Sequence, residues 1–365
     1  MKKLIALLLA AVMLLGLCAC ADTGTAEKLD EILAATNSLK ASIDDYTAAK
    51  AAQEAAALEA AEAEAAAEAL RNLDVSVMVL NGTTGFGMAK LMADAEAGEA
   101  ALNYSFSVET DASNVTAALI SGSTDIAALP TNAAATVYNK TEGGVQIAAI
   151  NTLGVLYLVV NSDNAAVSSL EDLEGMTVYV PAQNPTFIFR AITEAAGVSV
   201  EIDNTYAQPA DLRTALASGE VDIAVLPEPM VTIACAANES LSVALDLTAA
   251  WDEVQEPGSL VQGCVVVRTA FAEEHPDAVA AFLEEYEASI AYLTENTDDA
   301  AQLIEQTGVF PQAAVAKKAI PNCNVCFLTG EEMKAAMNRY AEIMFSLEPA
   351  SVGGAIPGDS FYFVG

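Results

Sequence analysis

Short apolar runs alternate with amphipathic segments along most of the chain. Val77–Phe86 has the pattern of a strand that leads through a Gly/Thr loop into a helix, and Thr177–Phe187 has the same plan. The runs Asp125–Pro130 and Asp222–Pro227 are almost wholly apolar, as central strands covered on both faces are. Strands that alternate with helices in this way predict mainly parallel sheets with helices on both faces.

The same phrase occurs twice in this pattern. Nine of the thirteen residues from Ala118 to Pro130 are identical in Ala215–Pro227, 97 positions further on. Such self-similarity indicates two copies of one structural unit. Each copy is predicted as β-α-β-α-β followed by a helix and a strand. Its second helix is expected to have a capping residue at Ser113 or Asp211, and to stop at Gly122 or Gly219.

Two copies of this unit predict two α/β lobes. Ligands of such sheets lie beyond the carboxyl ends of the strands. Two strands, within 153–161 and 261–275, are expected to pass between the lobes and to act as hinges. Four loops should therefore bound a cleft, namely Asn81–Phe86, Pro130–Ala133, Pro181–Phe189 and Pro227–Met230.

The N-terminal segment has a different character. Lys2 and Lys3 precede the 14-residue apolar run Leu4–Leu17, which predicts a secretory signal peptide over residues 1–19. This run is too short to span a bilayer comfortably. Leu17-Cys18-Ala19-Cys20 resembles the lipobox of bacterial lipoproteins, which implies a lipid anchor on Cys20. The alternative is a plain signal peptide that is cleaved after a small residue.

A long helix is predicted after this segment. Glu27–Asn72 contains no Gly or Pro and is rich in Ala and Glu. Its apolar positions form a weak heptad seam. The seam residues are Leu29, Ile32, Thr36, Leu39, Ile43 and Tyr46. We interpret the helix as a stalk, and self-association through the seam is the alternative.

Charge and cysteine content limit the possible functions. The 15 basic and 50 acidic residues give a formal net charge of −35, which excludes a nucleic-acid-binding surface and argues against a basic membrane-binding face. Four cysteines remain after the signal and the anchor: Cys235, Cys264, Cys323 and Cys326. Cys323 and Cys326 have the CxxC spacing, but no second cysteine pair and no histidine lie nearby in the sequence. Buried thiols or one disulfide are therefore expected rather than a metal or redox site. No cofactor is expected.

Three phrases in the globular part resemble one family. They are Ser168–Pro181 (SSLEDLEGMTVYVP), Ser218–Pro227 and Arg268–Ile304. Together they are similar to the solute-binding proteins of ABC importers, in the nitrate, sulfonate and thiamine-precursor group. The resemblance covers residues 73–365 and implies a type II periplasmic-binding fold. It also implies delivery of a small solute to a membrane permease that a cytoplasmic ATPase drives.

The resemblance and the repeats together predict a domain order. Residues 20–72 hold the lipid anchor and the helical stalk, and residues 73–160 form the first part of lobe I. Residues 161–262 form lobe II, and residues 263–365 return to lobe I. The protein is expected on the outer face of a bacterial cell membrane.

Ten residues of the four loops are candidate ligand contacts. Thr83, Thr84 and the amides near Gly85 lie at a predicted helix start, which favours a polar or anionic oxygen, although a simple cap and turn is the alternative. Phe187 is either a stacking platform or a core aromatic. The full set is Asn81, Thr83, Thr84, Gly85, Thr131, Asn132, Asn184, Thr186, Phe187 and Glu228.

The candidate contacts bear on the class of ligand. Glu228 either accepts a hydrogen bond from an amino group or serves as a first-turn acid of a helix. Because Glu228 opposes an anion and the one basic residue at the loops is Arg190, directly after Phe189, a flat amine-bearing solute such as an aminopyrimidine fits better than a sulfonate.

Catalysis is not expected. Pyrimidine synthases of this fold use an active-site histidine, whereas the single histidine, His275, lies at a predicted helix start away from the loops. Such an enzyme and an orphan sensory or adhesive lipoprotein are the alternatives.

Overall fold

The computed structural model describes residues 23–364. The predicted signal peptide and Cys20 lie outside the described residues. The chain divides into two compact units, with the boundary between Glu68 and Ala69. The first unit is carried by α1 (Thr23–Arg71), a 49-residue helix that confirms the predicted one. Within residues 23–364 no helix combines the length and the apolar character that crossing a bilayer requires.

Two sheets organise the second unit. The first sheet has the order β2-β1-β3-β10-β4-β11, and the second has the order β7-β6-β8-β5-β9. The strands of the first sheet are β1 (Asp74–Leu80), β2 (Asn103–Glu109), β3 (Ile126–Pro130), β4 (Val145–Thr152), β10 (Gly263–Arg268) and β11 (Val325–Leu328). The strands of the second sheet are β5 (Leu156–Asn161), β6 (Thr177–Tyr179), β7 (Glu201–Asp203), β8 (Ile223–Pro227) and β9 (Leu241–Asp246).

Helices connect these strands and complete the chain. Those before β5 are α2 (Thr83–Phe86), α3 (Ala89–Ala97), α4 (Ala112–Ser121) and α5 (Thr131–Lys140). The second sheet is connected by α6 (Asn184–Ala196), α7 (Pro209–Ser218), α8 (Met230–Ala237) and α9 (Leu247–Val254). The C-terminal part contains α10 (Thr269–Glu274), α11 (Pro276–Glu295), α12 (Thr297–Gln306), α13 (Ala313–Ala319) and α14 (Gly330–Leu347). Short 3-10 turns lie at Glu171–Leu173, Ile320–Asn322, Pro349–Val352 and Asp359–Phe361.

The two sheets are built on the same plan. In each, three parallel strands carry the repeated unit, and an antiparallel strand follows them in the sheet order. That strand is β10 between β3 and β4 in the first sheet, and β5 between β8 and β9 in the second. Both strands predicted for the crossings are present, and each lies wholly in one sheet. The chain crosses between the sheets over 153–155 and 255–262.

The predicted C-terminal ends of the two repeated helices agree with the structure, whereas the predicted N-terminal capping residues do not. Gly122 and Gly219 follow α4 and α7 with φ of 74° and 78°, a left-handed conformation that glycine adopts without strain. The predicted capping residues were wrong. Asp111 caps α4 by accepting a hydrogen bond from the Ser113 amide, and α7 begins at Pro209, before Asp211. Asp and Ser are about equally favourable at the N-cap position, so residue preference alone does not distinguish Asp111 from Ser113.

Three groups of buried apolar side chains form the core. One lies between the first sheet and helices α11 and α12, and a smaller one lies between the second sheet and helices α7 and α8. The third is shared by both sheets and includes Leu129 of β3 as well as Ile188, Trp251 and Tyr340. Through this shared core α14 packs against α6, so the C-terminal part contacts both lobes.

A carboxylate joins three neighbouring strands of the first sheet. Asp125 precedes β3 and accepts hydrogen bonds from the amide of Ser76 (3.0 Å) and its hydroxyl (2.6 Å) in β1. Its other oxygen accepts from Arg268 Nη2 at the end of β10 (2.6 Å). Burial alone would raise the pKa of Asp125, but the hydrogen bonds from Ser76 and Arg268 outweigh it and hold the pKa below its ordinary value.

We expect Asp125→Asn to destabilise the body by about 1 to 3 kcal/mol at pH 7, because it weakens charge-assisted hydrogen bonds to two strands. A lowered folded-state pKa means that this stabilisation is complete above the unfolded pKa of roughly 4 and is lost as the pH falls through the folded value. Urea unfolding at several pH values measures both effects. Glu284→Gln, at an exposed carboxylate of α11, is the matched control. A constant difference down to pH 3 would contradict the assignment.

Candidate functional site

The carboxyl ends of corresponding strands carry the four predicted loops. β1 and β3 end at Leu80 and Pro130, and β6 and β8 end at Tyr179 and Pro227. Because β1 is parallel to β3 and β6 is parallel to β8, each pair of loops emerges at one edge of its sheet. The helices that follow, α2, α5, α6 and α8, therefore begin at these edges.

Residues from both lobes line a cavity of about 570 Å³. Its first-lobe wall is formed by α4 and α5, and its other walls are the first turn of α6 and the segment that follows α14. The lining residues are Asp111, Ala112, Ser113, Thr116, Ala117, Ile120, Asn132, Ala133, Thr136, Lys140, Gln183, Phe187, Glu348, Ala350 and Ser351. Its size is within the range of small-molecule sites.

Thr131 and Asn132, at the start of α5, have different surroundings. Thr131 is fully buried, and its hydroxyl donates to the Val261 carbonyl (2.7 Å), which ties α5 to the second crossing segment. Asn132 lines the cavity, and its Oδ1 is buried without a hydrogen-bond partner in the described chain. Because an unpaired buried acceptor is costly, Asn132 is a candidate for a hydrogen bond that the described chain does not supply.

The second-lobe loop also contributes one cavity residue among those predicted. Phe187 lines the cavity beside Gln183, which has a φ of 65° at the start of α6. Asn184 instead accepts a hydrogen bond from the hydroxyl of Tyr340 in α14 (2.8 Å). Thr186 donates to the Pro181 carbonyl (2.8 Å) and accepts from Asn204 Nδ2 (2.8 Å). Asn184 and Thr186 thus have partners within the protein.

Glu228 is engaged within the protein as well. It is 3% exposed, and its carboxylate accepts from the amide and hydroxyl of Thr232 in α8 (3.1 and 2.9 Å). Asn322, from the C-terminal part of the chain, donates to the same carboxylate (3.3 Å). Burial raises the pKa of Glu228, and the hydrogen bonds from Thr232 and Asn322 act in the opposite direction. A ligand amine would have to join this set, so the contact with ligand stays a prediction.

The residues of the first predicted loop make contacts within the protein. The amide of Asn81 donates to the Glu109 carbonyl (2.7 Å), and Thr83 and Thr84 begin the four-residue helix α2. The Thr84 carbonyl accepts from Asn151 Nδ2 (3.1 Å). Gly85 is buried so closely that a Cβ there would lie 2.8 Å from Val79 Cγ1. None of these four predicted residues lines the cavity.

Sequence reasoning missed most of the cavity wall. Asp111 lies outside the four predicted loops, and Gln183 lies within the third loop but is not among the ten candidate contacts. Thr116, Thr136 and Lys140 lie further along α4 and α5, where no loop draws attention to them. The available signal was the run of small and polar residues at three- and four-residue spacing on these two helices.

The cysteines and the histidine lie apart from the cavity. Cys235, Cys264, Cys323 and Cys326 are unpaired thiols, so the disulfide alternative is not realised. Burial raises the pKa of Cys326 to about 12, which keeps this thiol protonated. His275 lies between α10 and α11, with its ring against Phe271. Among residues 23–364, no group of His, Cys, Asp and Glu side chains is arranged to hold a metal ion.

Comparison with known proteins places the fold. A family model described as NMT1/THI5 like matches residues 98–300. No curated protein sequence matches the chain. Among solved structures, an ABC transporter protein from Parabacteroides distasonis superposes with a TM-score of 0.68 at 24% identity. This match covers 80% of the present chain and 98% of the other.

Two further solved structures are named for their ligands. The periplasmic aliphatic sulphonate binding protein SsuA from Escherichia coli has a TM-score of 0.62 at 16% identity, with 77% of this chain and 95% of that chain covered. The alkanesulfonate-binding protein SsuA from Xanthomonas axonopodis pv. citri, bound to MOPS, has a TM-score of 0.58 at 14% identity. That match covers 78% of this chain and 94% of the other. At these identities the likeness concerns the fold.

Gly85→Ala tests whether the first loop serves packing or ligand. We expect a loss of about 1 to 3 kcal/mol in stability, because the new Cβ would press on Val79 and Val309 in a filled core. Urea unfolding measures the loss. The control is Gly358→Ala, where φ is −86° and nothing lies within 4 Å of an added Cβ. A Gly85→Ala protein of unchanged stability that no longer binds its ligand would support the predicted ligand contact instead.

Proposed function

The chain belongs to the NMT1/THI5-like family and has the predicted type II periplasmic-binding fold, and on this basis we propose that it is the solute-binding protein of an ABC importer. In this role it captures a small polar organic solute between its lobes outside the cytoplasm. It then delivers the solute to a membrane permease that a cytoplasmic ATPase drives.

The observation that carries this proposal is the cavity between α4 and α5 of one lobe and α6 of the other. A solute held there contacts both lobes at once, with Asn132 on one side and Phe187 on the other. Ligand binding then favours the closed arrangement by the difference in contacts between closed and open forms. Such closure is the signal by which a permease can distinguish loaded from empty protein.

The groups in the cavity favour a solute that donates hydrogen bonds. Asn132 Oδ1 is an acceptor without a partner in the described chain, and Asp111 adds a carboxylate to the wall. Phe187 offers an aromatic surface for a flat or apolar part of the solute. These features support an amine-bearing solute, such as an aminopyrimidine of the thiamine-precursor type. A sulfonate, which the named E. coli and Xanthomonas proteins bind, is the alternative.

We also propose that the N-terminal part of the chain holds the protein at the membrane. Cys20 carries the lipid that holds the protein at the outer face of the bacterial membrane. α1 serves as the stalk between this anchor and the body, and its seam permits weak self-association. No enzymatic role is proposed, since His275 packs against Phe271 and does not line the cavity.

A thermal-shift screen of small metabolites, followed by calorimetric titration of the best hit, tests the function. We expect Asn132→Ala to weaken binding by about fivefold, the effect of one lost hydrogen bond, and Phe187→Ala by about tenfold through lost stacking and burial. Asn164→Ala, at an exposed asparagine of the second sheet's lobe, should bind as the wild type does. Hits that bind all three variants equally would place the solute elsewhere and refute the cavity as the site.

Glu228→Gln decides whether the ligand reaches the second-lobe carboxylate. If an amino group contacts Glu228, the variant should lose about 1.5 to 3 kcal/mol of binding free energy, as expected for a hydrogen bond to a charged group. The same titration measures it. Unchanged binding would show that the ligand makes no such contact with Glu228.

A further inference from the structure

The cavity continues as a groove along two helices. Ser113, Thr116 and Ile120 line it from one face of α4, and Asn132, Thr136 and Lys140 line it from one face of α5. Asn132 and Lys140 are eight residues apart on the same helix, so they are separated by roughly 12 Å along its axis at 1.5 Å per residue. A single-ring solute fills only one end of such a groove.

Charge is distributed unevenly along this groove. Asp111 precedes the first turn of α4, so its carboxylate lies at the end where the helices begin. Glu348 also lines the groove, directly after Leu347, whose carbonyl accepts a hydrogen bond from Arg190 of α6 (2.7 Å). Lys140, in the last turn of α5, is the single cation among the lining residues.

Lys140 has no competing partner. No carboxylate of the described chain lies within 4.0 Å of its Nζ, and it makes no hydrogen bond there, whereas Lys317 and Lys334 each have a carboxylate oxygen at 2.7 and 2.9 Å. A lysine in the last helical turn is favourable for the helix dipole by itself. The interaction with the helix dipole does not require Lys140 to line the groove. Its charge there is opposite to that of Asp111 at the other end.

We propose that the groove binds an elongated zwitterionic solute, with an amino group at Asn132 and Asp111 and an anionic group at Lys140. This inference rests on the proposed function and specifies its substrate class. The amino end supplies the donor that Asn132 Oδ1 lacks, and its charge is opposite to that of Asp111. The anionic end pairs with the Lys140 ammonium, and the apolar middle lies along Ala117, Ala133 and Phe187.

The test uses ω-amino acids from 4-aminobutanoate to 12-aminododecanoate, titrated calorimetrically into the full chain. We expect affinity to rise with length, because only the longer members place their two charged ends far enough apart to reach both Asp111 and Lys140, at opposite ends of the groove. n-Octylamine and octanoate, which each lack one charged end, should bind at least about fivefold more weakly than 8-aminooctanoate, because each forfeits one charge-assisted contact.

Variants of Lys140 separate the distal contact from the rest of the cavity. Lys140→Gln should weaken 8-aminooctanoate about fivefold and leave n-octylamine unchanged, because only the amino acid has a group for the ammonium. Lys140→Arg should still bind 8-aminooctanoate more tightly than n-octylamine. Lys318→Gln, at an exposed lysine of α13 outside the cavity, should bind both probes as the wild type does.

Three outcomes would overturn the inference: no binding of any member of the series, affinity that is independent of length, or a Lys140→Gln variant that binds 8-aminooctanoate normally. None of them bears on the proposed function, which depends on the response of the screened solute to Asn132→Ala and Phe187→Ala. A solute that needs Asn132 and Phe187 but not Lys140 would leave the importer role in place and confine the ligand to the cleft end of the groove.

Discussion

Each sheet is completed by a strand that arrives from the other sheet, and the rest of the architecture depends on this exchange. β5 enters the second sheet directly after the chain leaves β4 of the first, and β10 enters the first sheet after the chain leaves the second. Both strands pair on two sides, so their backbone groups are satisfied only when both crossings are in place. The exchange therefore fixes which edges of the two sheets face the same region, and with them the loops that can meet there.

The polar residues at these edges differ in whether the protein satisfies them itself. Thr131 is hydrogen bonded to Val261, and Asn184 to Tyr340. These contacts link the helix starts to the crossing segment and to α14, and they hold the cavity walls in place. Asn132, next to Thr131 in the chain, has no such partner for its Oδ1 among the described residues. A site that combines one unsatisfied group with satisfied neighbours is positioned in advance for a ligand, which lowers the cost of ordering on binding.

The sequence predicted the repeat, its strands and the helix stops at Gly122 and Gly219, since these follow from local periodicity and backbone preference. Two features depended on distant contacts and could not be predicted in this way. β11 is a four-residue strand recognisable only by its pairing with β4, and α14 reaches the second lobe through Tyr340. At the site, the loops and their order were predicted, whereas the division of Thr131 and Asn132 into structural and available residues was not. Both are polar residues at a helix start, and only the position of the Val261 carbonyl distinguishes them.

Lys140 is the single cation among the cavity-lining residues of a strongly acidic protein. At physiological ionic strength charges separated by more than about 8 Å are largely screened, so most of the net charge of −35 acts weakly on a solute inside the groove. What remains is the local field of Asp111, Glu348 and Lys140. A positive group gains from the two carboxylates, whereas a negative group finds a favourable partner in the wall only at Lys140. A solute with both charges is thus bound in one direction, with its amino end toward the starts of α4 and α5.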